Sequence, residues 1–136
     1  MKISAKEEYA CSAVLELSLN YETDAPVRVQ DIAERHGIPM KFLFQIMQIL
    51  KRVDIVRSRR GTEGGYVLGR HPGQITVGDV IRAVSGPFVQ LSCSDSGFKP
   101  IWNDLDRAIA GVLNSVTFEE LARDARANRP QLMYHI

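Results

Sequence analysis

The chain has 136 residues, 45% of them hydrophobic and 24% charged, enough apolar material for one packed domain or a small domain with an appendage, which excludes a disordered tail protein. No apolar run approaches the roughly 18 residues needed to cross a bilayer. The opening Met1-Lys2-Ile3-Ser4 carries neither the apolar segment nor the cleavage pattern of a secretory signal, so a cytoplasmic protein without membrane attachment is expected.

Two cysteines, Cys11 and Cys93, are too few for a disulfide framework or a four-ligand zinc site. The net charge of +1 hides an uneven distribution. Residues 41–70 hold seven basic residues (Lys41, Lys51, Arg52, Arg57, Arg59, Arg60 and Arg70) against Asp54 and Glu63, a local balance of +5 that leaves −4 for the rest.

Ser4-Ala5-Lys6-Glu7 has capping-box spacing, and Tyr9, Ala10, Ala13, Val14 and Leu17 then recur on one face, predicting a first helix to about Leu19. After a loop with Asp24 and Pro26, Val29 to His36 makes two helical turns stopped by Gly37. Pro39 suits the first turn of a third helix, whose Phe42, Leu43, Ile46, Ile49 and Leu50 form an apolar repeat to about Val53.

From Ile55 to Leu68 two β-prone runs flank the turn-rich Gly61-Thr62-Glu63-Gly64-Gly65, which predicts a hairpin. Thr76-Val77-Gly78-Asp79 opens a helix through about Ser85, stapled by Ile75 and Val80 and ended by Gly86-Pro87. Residues 88–99 show no period and predict a loop. Ile101, Leu105, Ile109, Val112 and Val116 stand at steps of 4, 4, 3 and 4, so residues 101–115 form an amphipathic helix whose stripe needs a partner. A last box at Thr117 to Glu120 starts a short final helix that fades in the polar stretch Arg123 to Arg129.

The expected fold class is mainly α with a small β-hairpin wing. Short helix, glycine turn, longer helix and basic hairpin is the order of a winged helix-turn-helix, in which the second helix of the pair enters the DNA major groove. Leu43 and Ile46 anchor that helix, leaving Met40, Lys41, Phe44, Gln45 and Gln48 outward. Glutamine amides pair bidentately with adenine, lysine reaches guanine or phosphate, and an aromatic edge touches a thymine methyl. No catalytic Ser/His/Asp arrangement, phosphate loop or carboxylate pair is present, so no enzyme is expected.

Gly61 to Tyr66, preceded by Arg57, Arg59 and Arg60, together with Asp31-Ile32-Ala33-Glu34-Arg35, Ile75 to Ile81 and Trp102, closely resembles the Rrf-type winged-helix transcription regulators. The resemblance covers most of the chain and implies a homodimeric repressor or activator that binds double-stranded DNA, of which a repressor is the first expectation. It further implies a winged helix-turn-helix domain over 1–86, a sensor-type loop over 87–100, and over 101–136 a long dimerisation helix followed by a C-terminal helix. The Ile101 to Val116 stripe would then meet its symmetry mate. By the same resemblance Lys41, Phe44 and Gln45 read bases, Arg60 enters the minor groove, and Arg57 and Arg59 contact phosphates. Phe44 departs from a commonly acidic position and Thr62-Glu63 from the usual Pro-Gly, so the operator does not carry over.

Cluster-binding members of that family hold three cysteines in the loop before the dimer helix, because an iron–sulfur cluster needs several thiolates close together. Here Cys93 stands alone; Ser96 replaces the third cysteine and Lys99 a histidine used by some members. The expectation is no cofactor. The alternatives are an atypical iron–sulfur cluster held by Cys93 with Glu7 or Glu8 of a partner's first helix, and a protein-interaction module that has lost DNA binding. An effector would be a small molecule, between the DNA-binding domain and the dimer helix, or thiol chemistry at Cys93. Cys11 reads as a small core residue, and His36, at a helix end that favours a cation, His71 and His135 read as structural or solvated rather than as metal ligands.

Overall fold

The structure is a computed structural model and describes residues 2–61, 64–89 and 97–134, the last six as backbone only. The first helix, α1 (Ala5–Leu19), begins at Ser4, whose side chain accepts the Glu7 N–H at 3.2 Å. The Glu7 carboxylate turns elsewhere: its Oε1 accepts from the Ser85 hydroxyl at 3.1 Å, tying the start of α1 to a later helix.

Helix α2 (Val29–His36) ends at Gly37, whose φ of 63° is the left-handed conformation that glycine adopts without strain. Helix α3 (Met40–Arg52) follows, with Pro39 at its N-cap rather than inside its first turn as expected. Leu43, Ile46, Met47 and Leu50 are buried and face α1 and α2.

Strands β1 (Val56–Arg59) and β2 (Gly65–Leu68) pair antiparallel, with Val56 opposite Leu68 and Arg59 opposite Gly65. On the free edge of β2, Tyr66 and Val27 exchange backbone hydrogen bonds of 2.9 and 2.8 Å. A Cβ at position 65 would lie 2.4 Å from the Val27 carbonyl oxygen, so glycine is required for that approach.

After a 3-10 turn at Pro72–Gln74, α4 (Val77–Ser85) carries the full capping box expected from its residues. The Thr76 hydroxyl accepts the Asp79 N–H and the Asp79 carboxylate accepts the Thr76 N–H, both at 3.0 Å, above fully buried Ile75 and Val80. Helix α5 (Lys99–Leu113) and helix α6 (Phe118–Tyr134) complete the chain.

Two expectations give way to the structure. Helix α6 does not fade at Arg123 but continues to Tyr134. Phe118 and Ala122 are buried against α1, and the helix carries on through the good helix formers Arg123, Ala125, Arg126 and Ala127. Val116 is not on the α5 stripe: it lies in the α5–α6 corner, half-buried, where its carbonyl accepts the Val77 N–H at 3.0 Å. One core joins α1 to α4, the hairpin and Phe118. Among the described residues no helix is long and apolar enough to cross a membrane.

Candidate nucleic-acid interface

Burying Leu43, Ile46, Met47 and Leu50 turns the opposite face of α3 to solvent. Lys41, Gln45 and Gln48 recur at helical spacing on that face and are exposed, with Phe44 at its border 48% exposed. Arg52 continues the same row; it was not expected there, although its spacing from Gln48 is that between Lys41 and Gln45. Met40, expected outward, is half-buried against the core. Phe42, expected inward, is 57% exposed at the α1 side of α3, where with Tyr9, Ile46 and Ile49 it borders an apolar cavity of about 280 Å³.

Arg57, Arg59 and Arg60 follow one another along β1 and its end, all exposed. Their settings differ. Arg59 grips the α1–α2 connection: one terminal nitrogen donates to the Asp24 carbonyl at 2.8 Å and the other to the Asp24 carboxylate at 2.7 Å. Asp24 adopts a φ of 53°, a left-handed conformation that aspartate tolerates and that presents both oxygens to one guanidinium. Both partners are exposed, so the pair is worth about 0.2–1 kcal/mol, weak enough for a competing anion to displace. Arg57 and Arg60 have no acidic partner among the described residues. Arg70, the last member of the basic block, is half-buried with its Nε buried and without a hydrogen-bond partner.

Other polar residues are structural. Glu16 of α1 is 4% exposed and holds the end of α2: Arg35 donates to one carboxylate oxygen at 3.0 Å and His36 Nε2 lies 3.1 Å from the other. The helix-end position expected for His36 is observed, whereas its carboxylate partner, twenty residues away, has no local signal. His71, expected to be structural or solvated, is both: exposed, it accepts the Gly73 N–H at Nδ1 (2.9 Å), stacks edge-on to Tyr21 and faces Glu119 at 3.6 Å.

Cys11 is half-buried beside the core. Burial first, then the Glu7 and Glu8 carboxylates, push its thiol up to about 11, the opposite of what a thiolate ligand needs. Among the described residues no group of three or more His, Cys, Asp or Glu side chains is placed to hold a metal ion. Cys93 and Ser96 lie outside the described residues, as do Thr62, Glu63 and His135. With two cysteines in the whole chain, one of them this protected Cys11, the residues do not fit a three-cysteine cluster.

Helix α5 buries none of its residues. Ile101, Leu105 and Val112 are 56%, 43% and 65% exposed and share one face with half-buried Ile109, flanked by Trp102 and Phe98.

Comparison with known proteins places this arrangement. Residues 3–124 match the profile of the Rrf2 family, described as an iron-dependent transcriptional regulator. The HTH-type transcriptional regulator IscR of Klebsiella pneumoniae is 37% identical over 133 residues, covering 91% of this chain and 81% of the relative. Among solved structures, T. potens IscR superposes with a TM-score of 0.79 at 35% identity, covering 92% of this chain and 88% of the other. CymR, the global cysteine regulator of B. subtilis, superposes with a TM-score of 0.77 at 33% identity, covering 90% and 97%. A winged helix-turn-helix whose third helix and wing carry exposed basic residues thus has its relatives among transcriptional regulators. The chain belongs to the Rrf2 family of winged-helix transcriptional regulators.

Proposed function

We propose that the chain acts as a homodimeric, sequence-specific repressor that reads each operator half-site with α3 and holds the flanking duplex with its wing. The observation that carries this reading is the outward row Lys41, Gln45 and Gln48 on a helix whose other side is locked into the core. Gln45 and Gln48 offer amide pairs to adenine, Lys41 a donor to guanine or phosphate, and Phe44 an apolar edge to a thymine methyl. Arg60, at the end of β1, reaches the minor groove; Arg57 and Arg59 take phosphates, Arg59 by leaving Asp24. Residues 1–86 serve as the DNA-binding domain, 87–100, whose last two residues open α5, as the sensor-type segment, and 101–136 supply the rest of the dimer helix and the closing helix.

The exposed apolar face of α5 supports the dimer. Burying Ile101, Leu105 and Val112 against a second copy is worth about 1.5–3 kcal/mol for each side chain that becomes fully covered. Two copies related by a two-fold axis read a near-palindromic operator, with half-sites spaced by whole turns of duplex. The residues support a cytoplasmic regulator that works without a three-cysteine cluster, its signal being a small molecule or Cys93 chemistry.

Selection of bound sequences from a random duplex pool tests the reading. An enriched palindrome with a fixed half-site spacing is the expected result, and run-off transcription from that site should fall when the protein is added. Failure to enrich any sequence at low salt would remove the DNA-reading role and leave an interaction module on the same scaffold.

A further inference from the structure

Between the α1–α2 connection and the wing lies a cavity of about 490 Å³, within the size range of small-molecule sites. Tyr21, Glu22 and Asp24 wall it from the connection, Arg57 and Arg59 from β1, and Arg70 and His71 from the chain leaving β2. Three arginines against two carboxylate residues, Glu22 and Asp24, leave the lining with an excess of positive charge suited to anions, since a guanidinium presents a planar fork that matches a carboxylate or phosphate.

The three are unequally satisfied. Arg59 has Asp24 as its partner. Arg57 has no acidic partner among the described residues, and its stem lies close to Gly69, at the mouth of the turn that leads to Arg70. The Arg70 Nε is buried without an acceptor, although Asp79 exerts an attraction on the side chain from farther away. A buried donor without a partner destabilises the fold, and an acceptor brought in by a ligand would relieve that cost. His71 is held by Gly73 and Tyr21 and so offers a fixed wall.

We propose that this cavity binds a small polyanion, a free molecule with two or more carboxylate or phosphate groups, and that its occupation weakens operator binding. The proposal rests on the DNA-binding reading above. A carboxylate seated at Arg57 and Arg59 competes with the Asp24 carboxylate and with operator phosphates for the same guanidinium groups, one and three residues before Arg60 in the wing. Occupation therefore subtracts cationic contacts from the complex, which sets the direction of the effect.

The test follows the side-chain Nε–H signals of Arg57, Arg59 and Arg70 by NMR in full-length protein without DNA. Citrate, succinate and inorganic pyrophosphate are added separately at constant ionic strength, which distinguishes a free anion from a DNA phosphate. At least one probe should shift Arg57 and Arg70 with a dissociation constant on the order of 1 mM or tighter. The same probe should lower operator affinity about three- to tenfold at unchanged ionic strength. Ala25→Phe, on an exposed loop position that lines the cavity, fills it without altering a charge and should abolish both effects. Shifts that persist in Ala25→Phe overturn the location, and no saturable shift with any probe overturns the site. A saturable shift with unaltered operator affinity overturns the regulatory link. Loss of operator binding with and without probes sinks the DNA-binding reading instead, while the titration still decides the cavity.

Discussion

Glu16 and His36 meet across the α1–α2 packing, Oε1 to Nε2 at 3.1 Å, and Arg35 completes the set from the other carboxylate oxygen. The carboxylate is buried while Arg35 is largely exposed, so the stabilisation comes from satisfying Glu16 rather than from Arg35. Glu16→Ala should cost about 1–3 kcal/mol in urea unfolding, because it removes the hold of α1 on Arg35 and His36 and leaves those donors to water. Glu16→Gln keeps an acceptor and should lose distinctly less. Equal losses in the two variants would show that the charge, and not the acceptor geometry, holds the helices together.

Base reading and backbone holding separate by substitution. Gln45→Ala should cost about 1–3 kcal/mol on the selected operator, and much less on random duplex, because its amide is assigned to a base edge. Arg60→Ala should weaken both duplexes; if its contact is to phosphate it also lowers the salt slope by about 1. Fluorescence anisotropy over a salt series reads both affinities and both slopes. Equal losses on both duplexes for Gln45→Ala would remove it from the base-reading set.

Much of this architecture is written locally. Ser4, Gly37 and the Thr76–Asp79 box each act within a few residues, so the ends of α1, α2 and α4 were legible from the sequence. The α3 face was legible too, because one side of a helix must follow once Leu43 and Ile46 are inside. Contacts between distant segments were not. Arg59 meets Asp24 across 35 residues, and nothing in a basic strand announces that one of its arginines is committed. The docking of α6 on α1 was hidden as well: Arg126 donates to the Ser18 and Leu19 carbonyls at 3.4 and 3.3 Å and so supplies the cation that the last turn of α1 lacks. A polar run with no apolar period hid that role.

Asp79 gives the fold an acid-sensitive cap. Burial works to raise its pKa, but the Thr76 N–H and hydroxyl, the Arg82 guanidinium and the more distant Arg70 outweigh it, so the pKa lies below its ordinary 3.8. A depressed carboxylate contributes stability that is present above the unfolded pKa and is lost as pH falls through the folded one. Asp79→Ala should therefore cost about 1 kcal/mol at neutral pH. The difference from the parent should shrink as pH drops below 3.8 in thermal unfolding scans. A difference that stays constant to lower pH would mean that the carboxylate is not the stabilising form.

Thiol chemistry divides the two cysteines. With its pKa pushed up to about 11 and its side chain half-buried, Cys11 carries almost no thiolate at neutral pH. Labelling of native protein at neutral pH should therefore modify Cys93 first and Cys11 only on unfolding, read as successive mass increments. Rapid modification of Cys11 in the Cys93→Ala variant would contradict its protection by burial and by the Glu7 and Glu8 carboxylates. The same protein, purified without oxygen, should be colourless and free of acid-labile sulfide; a brown preparation bleached by Cys93→Ala would establish the atypical cluster.

The α5 face decides the oligomer. Val112 is 65% exposed and touches no core, so Val112→Asp should leave the folded subunit intact while placing a carboxylate in the proposed seam between two copies. Light scattering of the parent should give twice the 15.2 kDa chain mass, and the variant the mass of one chain. An uncompensated charge in a buried contact costs about 3–5 kcal/mol, enough to dissociate a dimer of micromolar affinity at working concentrations. Operator affinity should fall with it, because a monomer reaches only one half-site. Ile109→Asp serves as the contrast: half-buried within its own chain, it should lower thermal stability as well as mass. A Val112→Asp protein that remained dimeric would show that the two-fold contact uses another surface, and would leave the exposed row Ile101, Leu105 and Val112 in need of a different partner.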